Sequence, residues 1–238
     1  MKITQEKIVL SIANRLISRY GFRACRISRF DDYLSELLKQ PSFFFIQIGA
    51  HDGVRFDNLY QKVTEVNVYG IVIEPIKKYF DRLEMNYEDY PFVKALNIAL
   101  HPTDKEVVIH HVDNSKDTNN TLKPWSGGLG SLFVDHHNKT KIPDEYMVAT
   151  KVKSMTFMGL IHQHKIKNVD LLQIDVEGFD YEILKMIDFS KIKPKLIKYE
   201  HVNLPTELQT NSKNLLIRNG YKIYIENNDT IGILENDS

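Results

Sequence analysis

Acidic and imidazole side chains follow two apolar segments in the second half of the chain. Asp175 and Glu177 come directly after LLQI, and Glu200 and His201 come directly after LIKY. Carboxylate and imidazole side chains are the groups that most often accept or donate a proton in catalysis. His201 has the ordinary pKa best suited to a base near neutrality, and Glu200 or Glu177 would orient it. These four residues are the candidate catalytic group.

A second candidate site surrounds the loop GAHDG, which follows the apolar run FFFIQI. Gly49 and Gly53 carry no side chain, so a ligand can approach the backbone closely. Glu74, about twenty residues further on, is placed to accept hydrogen bonds from a ribose diol. The dinucleotide motif G-x-G-x-x-G would need glycine where His51 and Val54 stand, which disfavours a pyrophosphate. The pattern therefore indicates a nucleoside.

The order of the apolar segments predicts which part of the fold brings these residues together. Short apolar runs alternate with segments of helical periodicity, which is typical of a parallel sheet with helices on both faces. The predicted core strands lie in FFFIQI, VYGIVIEP, residues 92–97, VDLLQIDVEGFD and PKLIKYEH, and GYKIYIENNDTIGILEN predicts an antiparallel hairpin. Doubly wound sheets bind ligands beyond the carboxyl ends of their strands, here between the first and fourth. Both candidate sites fall there.

The remaining segments divide into helices, one further strand and a long loop. The predicted helices cover residues 3–20, 30–39, 57–63, 76–87, 156–164 and 179–187, and a further strand covers 107–112. The polar, glycine-rich segment 113–145 is long for a connection, which is typical of a functional loop. Within it, WSGGLGSL predicts a lid over substrate or cofactor that begins at Trp125 and includes Ser131.

Several motifs together resemble the FkbM-type methyltransferases, which are S-adenosylmethionine-dependent enzymes of the Rossmann-like class. The resemblance rests on FFFIQIGAHDG, GIVIEP, ALNIAL, GLGSL, LLQIDVEGFDYEILKMIDF, IKYEH and NDTIG, in order from about residue 42 to 235. It implies an α/β fold with a doubly wound, mostly parallel sheet and a C-terminal antiparallel hairpin. It also implies S-adenosyl-L-methionine as the cofactor.

The resemblance further implies a set of cofactor-binding residues. It places the methionine moiety near the glycine loop, the ribose hydroxyls on Glu74 and the adenine near residues 97–99. The implied set is Gln47, Gly49, Ala50, His51, Asp52, Gly53, Glu74, Pro75, Asn97, Ala99, Ser131 and Asp175. Two positions depart from the family pattern, since Gln47 stands where many relatives have Asp and His51 where Asn is common. Gln47 carries no charge to favour the ammonium group.

The family is known for O-methylation, so the resemblance implies an O-methyltransferase that acts on a hydroxyl of a carbohydrate or similar small metabolite. One alternative is a nicotinamide-dependent oxidoreductase, against which the missing glycines argue. Another is a non-catalytic nucleoside-binding module, against which the intact catalytic group argues. Asp175, Glu177 and Glu200 have the oxygen ligands that suit magnesium, but no spacing demands a metal, and none is predicted.

Composition sets the outer bounds on function. The 238 residues are 42% hydrophobic and 26% charged, as is usual for globular proteins. Lys plus Arg and Asp plus Glu both number 31, which disfavours nucleic-acid binding. No apolar run approaches the roughly 20 residues that a membrane helix needs, and Cys25 has no cysteine partner in the chain. We therefore expect a cytoplasmic protein without a transmembrane segment.

Charge is distributed unevenly along the chain. Residues 1–30 contain seven basic side chains and one acidic one, and Arg23, Arg26 and Arg29 lie close together. We divide the chain into an N-terminal helical extension, 1–40, and a methyltransferase domain, 41–238. The basic segment is predicted to contact an anionic surface, such as the phosphates of a lipid-linked or polymeric glycan. Alternatively, its arginines pair with the acidic excess of the domain or with a second subunit.

Overall fold

The apolar runs of the sequence form the centre of a seven-stranded sheet. The structure is a computed structural model. It describes residues 28–55, 59–66, 68–117, 121–123, 126, 128, 130–133 and 142–235. The strands are β1 (Phe44–Ile48), β2 (Tyr69–Ile73), β3 (Val93–Leu96), β4 (Ala99–Leu100), β5 (Glu106–Val112), β6 (Gly130–Ser131), β7 (Met147–Met155), β8 (Leu171–Ile174), β9 (Leu196–Glu200), β10 (Tyr221–Glu226) and β11 (Asp229–Leu234). The helices are α1 (Arg29–Leu37), α2 (Leu59–Thr64), α3 (Lys77–Asn86), α4 (Phe157–Gln163), α5 (Asp180–Lys185) and α6 (Thr206–Arg218).

The strand order of this sheet is β10-β11-β9-β8-β1-β2-β3. Strands β3, β2, β1, β8 and β9 run parallel, and β11 is antiparallel to both β9 and β10. Strands β1 and β8 are neighbours, as the sequence predicted for the first and fourth core strands. The predicted α/β fold, with a doubly wound, mostly parallel sheet and a terminal hairpin, is confirmed.

Both faces of the sheet are buried under helices, which explains why the strand sequences are mostly apolar, although Gln47 interrupts β1 and Gln173 interrupts β8. Neighbouring residues project from opposite faces, so Phe45 and Leu171 pack on one side and Ile46 and Leu172 on the other. The first side is covered by α1, α2 and α3, and the second by α4, α5 and α6. The helices on both sides leave the carboxyl edge of the parallel strands available for a site.

Helix α1 is the described end of the predicted N-terminal extension, and it packs into the core. Its Phe30, Leu34 and Leu37 are buried. Ser28 caps the helix, since its Oγ accepts from the Asp31 N–H at 3.1 Å. The helix predicted over residues 3–20 lies outside the described residues, and the boundary between 40 and 41 stays a prediction.

A second, four-stranded sheet was not predicted as such. Its order is β4-β7-β5-β6, and it contains the predicted strand 107–112 as β5. The sequence analysis missed β7 and α6 altogether. It assigned 113–145 to one long loop, whereas the described part of that segment contains β6 and two short 3-10 turns, Asn114–Lys116 and Asp144–Tyr146. Trp125 lies outside the described residues. None of the described helices has the length and apolar character needed to span a membrane.

Candidate functional site

A cavity of about 490 Å³ lies at the carboxyl ends of β1, β2 and β8, and we call it the larger cavity. The sequence-predicted residues that line it are Gly49, Ala50, His51, Glu74, Pro75, Ala99, Asp175, Glu177 and Glu200. The fold thus brings nine of the fifteen candidate residues, from five separate segments, to one cavity. The other six, which do not belong to its lining, are Gln47, Asp52, Gly53, Asn97, Ser131 and His201.

The glycine loop after β1 is shaped by close backbone approach. Gly49 has φ +79°, and a Cβ at this position would overlap the carbonyl oxygen of Asp175. Its N–H donates to the Ile73 carbonyl at 3.0 Å. His51 has φ +50°, a conformation in which Asn, Asp and His are enriched. The backbone therefore accounts for His51 at a position where relatives often carry Asn.

Asp52 does not line the cavity. Its side chain instead bonds to the backbone of its own loop. Its Oδ1 accepts from the backbone N–H groups of Val54 at 3.2 Å and Arg55 at 2.8 Å. The Arg55 side chain, which the sequence analysis did not single out, lines the larger cavity and lies 3.4 Å from Asp52 Oδ2. A cation therefore stands at the loop that the family resemblance assigns to the methionine moiety.

Glu74 is a deeply buried carboxylate at the end of β2. Its Oε1 accepts from the Ile76 N–H at 2.8 Å and its Oε2 from the His51 N–H at 2.9 Å. Burial raises the pKa of Glu74 to about 8. Because each carboxylate oxygen can accept two hydrogen bonds, both oxygens keep acceptor capacity for a diol.

Apolar side chains form the wall next to Glu74. Ile76, Ile98 and Ile109 line the cavity, and the ring of Tyr79 lies 4.0 Å from that of His51. The sequence analysis named none of the four wall residues Ile76, Ile98, Ile109 and Tyr79, because the residues of a cavity wall look like core residues in a sequence. The wall suits the flat, apolar face of a nucleobase.

Asn97 does not line the cavity but supports the turn after β2 that carries Glu74. Its Nδ2 donates to the carbonyl oxygens of Glu74 and Pro75, both at 2.9 Å. The side-chain amide therefore holds the turn that follows β2, and Ala99 reaches the lining instead. The cofactor-binding role of Asn97 stays a prediction.

Three carboxylates line the other end of the larger cavity. Asp175 and Glu177 follow the end of β8, and Glu200 is the last residue of β9. Asn203 was missed by the sequence analysis, yet its Nδ2 donates to Glu177 Oε2 at 2.8 Å and also to Glu200 Oε2. One amide therefore fixes two of the three carboxylates, and only the folded turn after β9 reveals it.

Burial and nearby negative charges raise the pKa of two carboxyl groups at this end of the cavity, Asp175 and Asp180. Burial is the main cause that raises the pKa of Asp175 well above its usual range, and the negative charges of Asp180, Glu177, Glu200 and Asp229 add to it. Asp180, fully buried at the start of α5, likewise has its pKa raised to about 8 by burial. A carboxyl in such surroundings can hold a proton near neutral pH.

The described residues of GLGSL, which are Gly128 and residues 130–132, contact the cavity near Glu177. Ser131 Oγ donates to the Glu177 carbonyl at 3.0 Å and accepts from the Phe133 N–H at 3.2 Å. Its neighbours Gly130 and Leu132 line the cavity. Ser131 thus holds its neighbours Gly130 and Leu132 against the backbone at Glu177. Its predicted role in a lid stays a prediction.

His201 is separated from the carboxylates that precede it. Its Nδ1 lies 3.2 Å from Thr230 Oγ1, and its N–H donates to the Asn228 carbonyl at 2.9 Å. Burial lowers its pKa, and the charge of Lys213 adds to this effect. This geometry favours a role for His201 in holding the hairpin turn over the predicted role as a base.

The described residues contain no group of three or more His, Cys, Asp or Glu side chains arranged to hold a metal ion. Two of the carboxylates at this end of the cavity, Glu177 and Glu200, accept from the Asn203 amide.

The fold is that of the class I methyltransferases. A family model described as "Methyltransferase FkbM domain" matches residues 47–223, which is most of the chain. This chain belongs to the FkbM methyltransferase domain family. No curated protein sequence matches it.

Solved structures agree with the fold. The crystal structure of methyltransferase FkbM from Methylobacillus flagellatus KT is 13% identical with a TM-score of 0.51, and the match covers 81% of this chain and 43% of that one. This chain therefore spans less than half the length of that relative. Precorrin-6y C5,15-methyltransferase from Geobacter metallireducens GS-15 is 12% identical with a TM-score of 0.45, covering 89% of this chain and 94% of that one.

Proposed function

We propose that this chain is an S-adenosylmethionine-dependent O-methyltransferase that acts on a hydroxyl of a carbohydrate or similar small metabolite. The observation that carries the proposal is the convergence of Asp175, Glu177 and Glu200 at one end of a cavity whose other end holds Glu74. When bound, S-adenosylmethionine supplies a methyl carbon that passes from sulfur to the acceptor oxygen, while the carbon–sulfur electron pair stays on sulfur and the hydroxyl proton leaves.

The residues present fit the methyl donor. Glu74 is a buried carboxylate with remaining acceptor capacity for the two ribose hydroxyls. Ile76 and Tyr79 offer an apolar wall for the adenine. Gly49, Ala50 and Arg55 line the part of the cavity that would hold the methionine moiety.

Asp175 is the proposed proton acceptor. Burial and neighbouring negative charges raise its pKa well above the usual range, and a catalytic base works best when its pKa lies near the operating pH. Asn203 holds Glu177 and Glu200 in place beside it. The proposal assigns proton removal to Asp175 and not to His201, which does not line the cavity.

The proposal extends to the surroundings of the enzyme. The balanced charge of the chain supports a small-molecule or glycan acceptor over a nucleic acid, and the single cysteine is consistent with the cytoplasm. The basic residues at positions 1–30 support contact with an anionic surface. Such contact should weaken strongly with added salt.

Calorimetric titration with S-adenosylmethionine, S-adenosylhomocysteine and NAD tests the cofactor assignment. We expect both sulfur compounds to bind and NAD not to bind; preferential binding of NAD would favour an oxidoreductase. Mass spectrometry of host glycans, with active protein or the Asp175→Asn variant, then tests the reaction. The expected product is heavier by one methyl group, and its absence with bound cofactor would favour a binding module.

A further inference from the structure

A positively charged side chain reaches the larger cavity from the glycine loop. Arg55 lines this cavity together with Gly49 and Ala50. Among the described residues of the lining, it is the one arginine or lysine side chain. Four other lining residues carry carboxyl groups, namely Glu74, Asp175, Glu177 and Glu200. A guanidinium is a planar cation whose N–H groups match the two oxygens of a carboxylate.

The backbone at Arg55 is held by the loop itself and by α3. Asp52 Oδ1 accepts from the Arg55 N–H at 2.8 Å and from the Val54 N–H at 3.2 Å. The Asn86 Nδ2, at the end of α3, donates to the Asp52 carbonyl at 2.8 Å. The side chain of Arg55 therefore starts from a backbone position that several hydrogen bonds fix.

The guanidinium of Arg55 keeps donors for a ligand. Its Nε lies 3.4 Å from Asp52 Oδ2, which is longer than a usual hydrogen bond between nitrogen and oxygen. Asp52 thus offsets part of the charge but leaves the five guanidinium N–H groups available. Asp52 also contacts His51, whose Nδ1 lies 3.4 Å from Asp52 Oδ1. The Arg55 side chain is 63% exposed, so it can turn its N–H groups towards a second carboxylate.

The chemistry of the methyl donor leaves one group that a cation can bind. The adenine and the ribose of S-adenosylmethionine are uncharged, and its sulfonium and ammonium groups are cationic. The carboxylate of the methionine moiety is its only anionic group. Strand β1, which leads into the glycine loop, supplies no charged side chain, because its polar residue is the neutral Gln47. The charge at this loop that can recognise the amino-acid end is therefore that of Arg55.

We propose that Arg55 binds the carboxylate of S-adenosylmethionine and so selects the complete cofactor over adenosine thioethers that lack this group. The inference rests on the proposed function, because it assigns a residue to the cofactor named there. It divides recognition between two side chains. Glu74 binds the ribose that all adenosine ligands share, and Arg55 binds the group that only the complete amino acid carries.

Calorimetric titration with three ligands tests the proposal. S-adenosylhomocysteine has the carboxylate, its decarboxylated analogue keeps only the ammonium group, and 5′-methylthioadenosine has neither. Arg55→Met should weaken S-adenosylhomocysteine binding roughly tenfold, the effect of one lost hydrogen-bonded contact between charged groups. The affinities for the other two ligands should not fall. Glu74→Ala should weaken all three, since each contains the ribose.

Arg82→Met is the matched control. Arg82 is an exposed residue of α3 that does not line the larger cavity. Burial and the charge of Glu74 raise the pKa of Tyr79, and the positive charges of Arg82 and Arg55 oppose this rise, so both cations lie near the same ring. Arg82→Met should bind all three ligands as wild type does. Arg55→Lys, which keeps the charge without the planar N–H groups, should recover part of the lost affinity.

The outcomes separate this inference from the proposed function. Equal weakening of all three ligands by Arg55→Met, or unchanged binding of S-adenosylhomocysteine, would overturn the assignment of Arg55. Equal affinity of wild type for S-adenosylhomocysteine and its decarboxylated analogue would overturn it as well. In each of these cases adenosine ligands still bind, and the proposed function stands. If wild type binds none of the three, the proposed function is wrong and the inference falls with it.

Discussion

The two ends of the larger cavity are built in different ways. The end around Glu74 comes from two short stretches, 49–51 and 74–76, joined by backbone hydrogen bonds to one carboxylate. The end around Asp175 gathers side chains from β8, β9 and the turns that follow them, and its carboxylates lie close to one another. The first arrangement gives complementary shape and acceptors for binding, whereas the second gathers several acidic side chains around the proposed proton acceptor, Asp175.

The sharpest test of this contrast is Asp175→Asn. Because the proposed work of Asp175 is at the acceptor hydroxyl, we expect turnover to fall by about 10²–10⁴-fold, the usual contribution of a general base. The dissociation constant for S-adenosylmethionine, measured by calorimetry, should stay nearly unchanged. The Asn side chain has the same shape as that of Asp. The substitution also leaves the close approach between Gly49 and the backbone carbonyl of residue 175 in place.

His201→Ala is the comparison variant, since His201 adjoins the same strand end outside the cavity lining. We expect it to keep most of its turnover and to lose stability through the hairpin turn. If His201→Ala abolishes turnover while Asp175→Asn retains it, the histidine is the base and the contrast between the two ends is wrong.

Glu74→Ala tests the other end. Loss of an ionised acceptor to the ribose costs roughly 1.5–3 kcal/mol, so the affinity for S-adenosylmethionine should fall about ten- to a hundredfold. Turnover at saturating cofactor should change far less. Calorimetry and initial-rate kinetics measure the two effects independently.

A matched control for Glu74→Ala is Asp170→Ala. Asp170 is also a buried carboxylate that accepts a backbone N–H, from Phe44 at 2.8 Å, and it pairs with Lys195. It lies at the amino ends of the strands, so its loss should lower stability without changing cofactor affinity. Equal affinities in wild type and Glu74→Ala would mean that this carboxylate does not face the ribose.

The same contrast explains how much could be predicted from the sequence. The strands of the sheet and the loop at Gly49 were predictable, because apolar runs and glycine turns are local signals. Glu74 was predictable because it ends the strand after that loop. These features depend on contiguous residues, and the structure places them as the pattern indicated.

The features that could not be predicted depend on contacts between distant segments. Asn203 becomes important only when the turn after β9 lies beside Glu177. The strand β7, MVATKVKSM, contains one buried residue, Val152, and several half-buried or exposed ones, so it has too few apolar side chains to stand out. His201 adjoins Glu200 in sequence, yet its ring bonds to Thr230 of β11. The sequence does not reveal this contact, because successive residues at a strand end point in opposite directions, and the role of His201 as a base stays a prediction.

Cofactor affinity should depend on pH through Glu74. Burial raises the pKa of this carboxyl to about 8, so in the free protein it is mostly protonated at neutral pH. Only the ionised form accepts from both ribose hydroxyls, and affinity should therefore rise with pH up to about 8, by at most about tenfold per pH unit. Calorimetry across this range measures the slope. A flat profile, or one shared by Glu74→Ala, would contradict the assignment.

The smallest expected effect concerns the stability of the carboxylate-rich end. Burial raises the folded-state pKa of Asp180 to about 8 from an ordinary value of 3.8. A carboxyl with a raised folded-state pKa stabilises the fold below its unfolded pKa, and this contribution is lost as pH rises towards the folded value. Asp180→Asn keeps an acceptor for the Gly178 N–H and cannot ionise. The variant should therefore gain on wild type as pH rises from about 5 to 8, by a few degrees in melting temperature.

Asp188→Asn provides the control of opposite sign. Asp188 is exposed, and hydrogen bonds from Ser190 and Lys191 lower its pKa, so its contribution is lost only in acid, below its ordinary pKa. Between about pH 5 and 8 the difference in melting temperature between Asp188→Asn and wild type should stay constant. If the difference for Asp180→Asn is equally constant in thermal denaturation, Asp180 stays ionised in the folded protein. Burial would then not raise the pKa of Asp180 to about 8, and the same expectation for Asp175, for which burial is also the main cause, would be wrong.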